Sequence, residues 1–212
     1  KLELIKTKNI FKNNFGNNSS HFVHLGFDTR KNKCNINNQI KIMRSIIQKA
    51  KKHHFKLIFL STTCGGPENN RKLFQFNKYQ VAKYLCEKEL EKEKNEINFI
   101  IFRVFNLYGN HQKNKKNIVY DIKEKILNSN NSKVKILHAK SKRDFIYVDD
   151  LIDLLLKSLK QKDFKNEIYE VGTSKMTSIG NLYKKINSIL NKSSDFIITK
   201  PQYDKIKHTK AI

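Results

Sequence analysis

The sequence predicts an α/β protein built on a parallel sheet with helices on both faces. Two features point there. Its strand-length apolar runs show no in/out alternation, as strands buried on both faces do. The segments between them carry apolar residues at helical spacing, giving strand, helix, strand, helix, strand. At 212 residues the chain has enough mass for one good core, or one domain and a small lobe.

The elements follow in order. Residues 1–20 are rich in Lys, Asn and Ser and read as irregular. His-Phe-Val-His-Leu-Gly at 21–26 reads as a buried strand ending in glycine. Residues 38–52 place Ile40, Met43, Ile46, Ile47 and Ala50 on one helical face. A strand is expected at 56–60, a helix at 80–92 carrying Val81, Tyr84, Leu85 and Leu90, and a continuous apolar strand at 98–104. Beyond Asn106 the pattern loosens. Helices are expected at 118–127, 149–159 and 178–190, the last capped by Thr177 or Ser178, with strands at 134–137, 167–171 and 196–199. The expected organisation is a partial dinucleotide-binding domain at 1–107 and a substrate-binding region at 108–212, with a strand and helix of the latter returning to the first core.

The formal charge of +24 raises nucleic acid as a partner. Of the 43 basic residues, however, five are Arg and the other 38 are Lys, spread along the chain beside 25 Asn. Nucleic-acid readers favour the bidentate Arg fork, whereas A/T-rich genes favour Lys, Asn and Ile, so nucleic acid is disfavoured. Cys34, Cys64 and Cys86 form no CxxC pair, which disfavours zinc and disulfides, leaves no metal site expected and fits a reducing cytoplasm. The longest apolar runs are far shorter than a membrane span. His53 and His54 follow Lys51 and Lys52 at a helix end, a dipole-favoured cluster rather than a ligand set.

Four segments carry chemistry: Leu-Ile-Phe-Leu-Ser-Thr-Thr (57–63), Tyr-Gln-Val-Ala-Lys-Tyr-Leu-Cys-Glu (79–87), Phe-Arg-Val-Phe-Asn-Leu-Tyr-Gly (102–109) and Arg-Asp-Phe-Ile-Tyr-Val-Asp-Asp (143–150). The first is a strand ending in hydroxyls. The second sets Tyr79 and Lys83 four apart on one helical face. Tyr-x3-Lys also occurs at Tyr84/Lys88 and Tyr203/Lys207, but only the first pair follows a hydroxyl-tipped strand and opens a helix. A phenol with a pKa near 10 acts as a base at neutral pH only after a shift of about three units, roughly 4 kcal/mol of preferential phenolate stabilisation. A nearby ammonium supplies part of it.

From about Phe22 to about Gly172 these segments resemble the NAD-dependent epimerase/dehydratase family, the extended short-chain dehydrogenases that act on nucleotide sugars. The resemblance implies a Rossmann-type fold and NAD (or NADP) as cofactor. It implies that Tyr79 takes the proton from a sugar hydroxyl as hydride leaves the same carbon. Lys83 would assist and hold the nicotinamide ribose, and Thr62 would hydrogen-bond the reacting oxygen. Leu25, Gly26 and Phe27 match the stretch beside the cofactor in relatives, with Gly26 open to a plain turn role. Arg143 would bind the substrate diphosphate, with a surface pair to Asp144 as the other reading, and Asn106 matches a substrate-contacting Asn in the loop after the strand. A homodimer is compatible with the resemblance.

Three departures narrow this reading. Dehydrating members resemble one another in carrying Asp-Glu directly after the Thr; here Thr63 and Cys64 stand there, and neither replaces a carboxylic acid. The Gly-x-Gly-x-x-Gly fingerprint is missing, and with it the first βαβ unit, so weak NAD affinity is expected. The gap from Thr62 to Tyr79 is also short for the family, with Gly65-Gly66-Pro67 in place of the usual Tyr-Gly. The expectation is an NAD-dependent nucleotide-sugar epimerase; an NAD(P)-dependent ketoreductase and a non-catalytic, polyanion-binding relative are the alternatives.

Overall fold

The computed structural model describes residues 20–29, 33–62, 77–110, 112, 117–130, 133–192, 194–199 and the backbone of 208–209. In chain order the elements are β1 (His21–His24), α1 (Ile36–His53), β2 (Lys56–Thr62), α2 (Lys78–Lys92), β3 (Phe99–Val104), β4 (Asn106–Tyr108), α3 (Ile118–Leu127) and β5 (Val134–Leu137). Then come β6 (Lys142–Tyr147), α4 (Val148–Ser158), β7 (Glu167–Val171), β8 (Met176–Ser178), α5 (Ile179–Ile189), β9 (Phe196–Thr199) and β10 (His208–Thr209). They form two compact units, Lys1–Val104 with Lys157–Glu170, and Phe105–Leu156 with Val171–Ile212.

In the first unit the sheet runs β1-β2-β3-β7. β1 pairs parallel with β2, and β2 pairs parallel with β3. All six residues of β3 are buried, which accounts for its unbroken apolar sequence. Phe55, Leu57, Phe59, Phe99 and Ile101 meet Ile42, Met43, Ile46, Ile47 and Ala50 of α1 and Cys86 and Leu90 of α2. Each such large side chain contributes about 1.5–3 kcal/mol by leaving water. Asn35 caps α1, its side chain accepting from the Asn38 N–H at 3.0 Å. At the other end lie Lys51, Lys52 and His53, favourable beside the helix carbonyls, and His54 closes the helix at φ 53°. α2 opens with a capping box: Asn77 accepts from the Gln80 N–H, and the Gln80 side chain accepts from the Asn77 N–H.

The second unit holds a sheet ordered β10-β6-β4, with β8 antiparallel to β6, and a parallel pair β5–β9. Its core joins Ile122 and Ile126 of α3, Val134 and Ile136 of β5, and Ile179 and Tyr183 of α5. The buried Tyr183 hydroxyl donates to the Ser194 carbonyl at 2.8 Å, so the large ring is buried without leaving its polar end unmet. Ser178 is the cap of α5, accepting from the Asn181 N–H. Gly109 permits a close approach: a β-carbon there would fall inside van der Waals contact of the Val148 side chain.

The parallel sheet with covering helices is as the sequence predicts. Several short strands are not. β1 stops at His24 rather than Gly26, β2 extends to Thr62, and β4, β6, β8 and β10 appear where no strand was expected. Three of these four are two or three residues long and draw their order from paired neighbours, leaving no period in their own sequence.

Candidate active site

The site in the first unit is built by α2 and the ends of β1 and β2. The capping box fixes the first turn of α2, placing Tyr79 at its second residue and Lys83 one turn on. Lys83 is 4 % exposed, and its Nζ donates to the carbonyl of Leu60. Leu60 lies two residues before Thr62, the half-buried last residue of β2. That hydrogen bond brings the lysine to the C-terminal edge of the parallel sheet, where open α/β sheets bind ligands.

Aromatic rings complete its surroundings. Lys83 Nζ lies 4.0 Å from the Phe27 ring centroid, 4.6 Å from that of Phe59 and 5.9 Å from that of Tyr79. Phe27 meets Tyr79 edge to face at 5.7 Å. His24 stacks on Phe59 at 5.6 Å, and its Nε2 is buried without a hydrogen-bond partner. Burial lowers the Lys83 ammonium to about 7, against the opposing pull of Cys86, Glu87 and Cys34. Near neutral pH the amine therefore gives up its proton far more readily than an ordinary lysine. Burial, with Lys83 adding to it, holds His24 down to about 3, and burial pushes the Cys86 thiol up to about 12.

One turn beyond Lys83, Glu87 forms a buried ion pair with Arg103 of β3. Arg103 Nε donates to Oε2 at 3.1 Å and Nη2 to the same oxygen at 2.7 Å. Tyr79, Lys83 and Glu87 thus share one helical face, anchored to the sheet by the last of them. Tyr84 and Lys88 lie elsewhere on the helix; Lys88 pairs with Glu91 at 2.6 Å and sits over the Tyr84 ring.

The remaining residues of the sequence reading distribute as follows. Leu25 and Gly26 are exposed and Phe27 half-buried, in irregular chain after β1. Asn106 and Arg143 belong to the second unit. Asn106 stands on β4 rather than in a loop, in register with Phe145, because one residue, Phe105, is all that separates β3 from β4. Its Nδ2 donates to the Asp144 carbonyl at 2.7 Å, which ties Asn106 to the strand carrying Arg143. Arg143 is half-buried on β6 in register with Thr177. Asp144 and Arg143, adjacent on a strand, point to opposite faces. The fully buried Asp144 carboxylate accepts from the Thr173 N–H at 2.9 Å, the Thr173 hydroxyl at 2.6 Å and the Ser174 N–H at 2.7 Å. Thr63, Cys64, Gly65–Pro67, Tyr203 and Lys207 lie outside the described residues, as do residues 1–19.

Sequence reasoning missed the side chains of His24, Phe27 and Phe59. The place of His24 at the end of an apolar strand is the signal available for it; nothing local marks Phe27 as more than backbone. Among the described residues no group of three or more His, Cys, Asp or Glu is placed to hold a metal ion, and no helix is long and apolar enough to cross a membrane.

A parallel sheet covered by helices, with Tyr79 and Lys83 one turn apart on α2, is a Rossmann-type α/β arrangement. A model of the NAD dependent epimerase/dehydratase family matches residues 21–172, and the chain belongs to that family. It is 34% identical over 134 residues to a CDP-abequose synthase of Salmonella muenchen, covering 56% of this chain and 44% of the relative. To a putative UDP-glucose 4-epimerase of Methanocaldococcus jannaschii it is 29% identical over 139 residues, covering 64% and 44%. The chain thus spans less than half the length of these curated relatives. Among solved structures, the UDP-glucose 4-epimerase of Thermus thermophilus, in complex with NAD, aligns with a TM-score of 0.72 at 16% identity, over 92% of this chain and 69% of that one. The UDP-glucose 4-epimerase of Thermotoga maritima, with UDP-glucose, aligns with a TM-score of 0.73 at 21% identity, over 91% and 68%. At these identities the likeness to solved structures establishes the fold.

Proposed function

We propose that this chain supplies the proton-transfer and substrate-holding residues of an NAD-dependent nucleotide-sugar epimerase. The observation that carries the reading is the placement of Tyr79 and Lys83 one turn apart on a capped helix, with Lys83 held at the C-terminal edge of β2 by the Leu60 carbonyl.

The donor set fits the ribose end of the family's cofactor: a buried ammonium and the unpartnered Nε2 of His24, facing the same aromatic cluster, suit a hydroxyl-bearing group. Bound there, NAD would supply a reversible hydride acceptor for the sugar carbon. The chain's own residues do the rest. Tyr79 removes the hydroxyl proton at that carbon and gives it back. Lys83 in its charged form stabilises the phenolate and holds the ribose hydroxyls, and Thr62 at the strand end orients the reacting oxygen. In the second unit Arg143 offers a fork of N–H donors suited to a diphosphate, with Asn106 on the neighbouring strand as a substrate contact.

Reversible epimerisation is favoured over dehydration because Thr63 and Cys64 supply no carboxylic acid for elimination. The test is turnover of a panel of nucleotide sugars by the full-length protein and its Tyr79→Phe variant. Loss of the phenol removes a general acid–base worth about 10²–10⁴-fold while keeping the ring, so turnover is expected to collapse with substrate binding nearly intact. Wild-type turnover in Tyr79→Phe removes Tyr79 from the chemistry. Consumption of reduced cofactor in step with product identifies a ketoreductase instead.

A further inference from the structure

An ammonium has three N–H donors. In Lys83 one goes to the Leu60 carbonyl, and the ammonium also lies over the faces of Phe27 and Phe59. Both rings are within the distance at which a cation is attracted to an aromatic face. They are not equally fixed. Phe59 is fully buried in the middle of β2, paired on one side with β1 and on the other with β3. Phe27 is half-buried in irregular chain, with Gly26 exposed before it and Leu25 56 % exposed. Only Phe27 can leave without breaking the sheet.

We propose that Phe27 is a movable cover on Lys83, closed in this structure and swinging aside to let a hydroxyl-bearing ligand reach the ammonium. The identity of that ligand, a ribose, rests on the function proposed above; the cover itself does not.

The closed arrangement carries two unfavourable features that opening relieves. The His24 ring, against which Phe27 tilts at 6.3 Å, keeps its buried Nε2 without a hydrogen-bond partner. Lys83 is held in surroundings that disfavour its charge. A fully satisfied core wall shows neither. Moving Phe27 admits water or a ligand hydroxyl to both groups, which offsets part of the cost of opening. Phe27 also touches Tyr79, so the same movement uncovers the phenol ring edge and the ammonium together.

Site-resolved labelling of the full chain with acetic anhydride at pH 8, read by mass spectrometry, tests this. The exposed Lys78 on the same helix serves as the internal standard. Opening by a local swing makes the Lys83 labelling rate independent of urea below the unfolding transition. Phe27→Ala is expected to raise that rate at least tenfold relative to Lys78, and Phe27→Leu, which keeps apolar bulk but no ring face, by a smaller factor. A Lys83 rate in the wild-type chain that climbs with urea in parallel with global unfolding overturns the proposal, whether or not the variants fold. So does a Phe27→Ala protein with native circular dichroism and a Lys83 rate within twofold of wild type. Failure of the epimerase reading would appear instead as unchanged turnover in Tyr79→Phe, which leaves the labelling result standing.

Discussion

Replacing Glu87 by Ala strips the carboxylate from an ion pair that is buried on both sides. The Glu87 side chain is 2 % exposed and that of Arg103 10 %, and the guanidinium reaches it through both Nε and Nη2. Removing one member of such a pair leaves the other charge in poorly solvating surroundings, at about 3–5 kcal/mol. The contrast lies on the same helix. Glu89 meets Arg44 at 2.6 Å and Lys92 at 2.7 Å, contacts as short, yet the Arg44 and Lys92 side chains are 62 % and 66 % exposed. Glu89→Ala is therefore expected to lose at most about 1 kcal/mol for each of its two pairs despite the short distances. Burial, not separation, decides which pair matters. Urea unfolding of the two variants, followed by circular dichroism at fixed pH and salt, reads the difference directly. A third protein, Glu87→Met with Arg103→Met, replaces both charges by apolar volume and is expected to recover most of the lost stability. Equal losses in Glu87→Ala and Glu89→Ala, or a double variant worse than Glu87→Ala, would refute the assignment of the pair as the anchor of the Tyr79/Lys83 face.

Three further outcomes follow from the structure. Asn77→Ala removes half of the capping box that starts α2 and is expected to lower stability by about 1 kcal/mol, measured by urea unfolding; a change below a few tenths argues against the cap. Asp144→Ala deletes the acceptor for Thr173 and Ser174 and is expected to destabilise by about 3 kcal/mol, with proteolysis at 173–175 rising; unchanged protection would show that the loop is held by something else. Because the folded chain holds Lys83 near 7 against an ordinary 10.5, the unfolded chain binds more protons between those values, so stability relative to Lys83→Met is expected to rise with pH across that window. A stability difference that stays flat between pH 6.5 and 9.5 contradicts the burial of a titrating amine.

The strong elements of the first unit were readable because burial leaves a mark on composition. Phe99–Val104 is apolar without interruption since every residue of it is buried, and α1 repeats Ile, Met and Ala at the interval of its buried face. Asn35, Asn77 and Ser178 each stand directly before a helix, and of these Ser178 was readable as a short polar residue ahead of an apolar period. β4 and β8 escaped because three residues are too few for a period. β6 escaped because its alternation begins in Lys142 and Arg143, whose place on a strand is decided by the pairing with β8 and β10. At the site, four-residue spacing told which residues share a helical face. It carried no information about what lies over that face, and so two of the rings around Lys83 were invisible: Phe27 and Phe59 come from two other segments.

Those rings bear on why this one lysine is buried at all. Among the described residues Lys83 is the lysine that the fold removes from water, and the other described lysines are exposed or half-buried. A lysine kept for attracting polyanions works by being exposed, since solvated charge is what steers a charged partner. Burying one is unfavourable unless the ammonium is met by acceptors, and a carboxylate would meet it best. Glu87 is one turn away but is engaged by Arg103. Lys83 is left with a neutral carbonyl and aromatic faces, partners strong enough to hold the amine in place and too weak to fix its charge. Such a group responds to whatever enters beside it: a ligand hydroxyl or a developing phenolate on Tyr79 draws it toward the charged form. That responsiveness supports a role in proton transfer, and it separates Lys83 from the surface lysines by chemistry rather than by position alone.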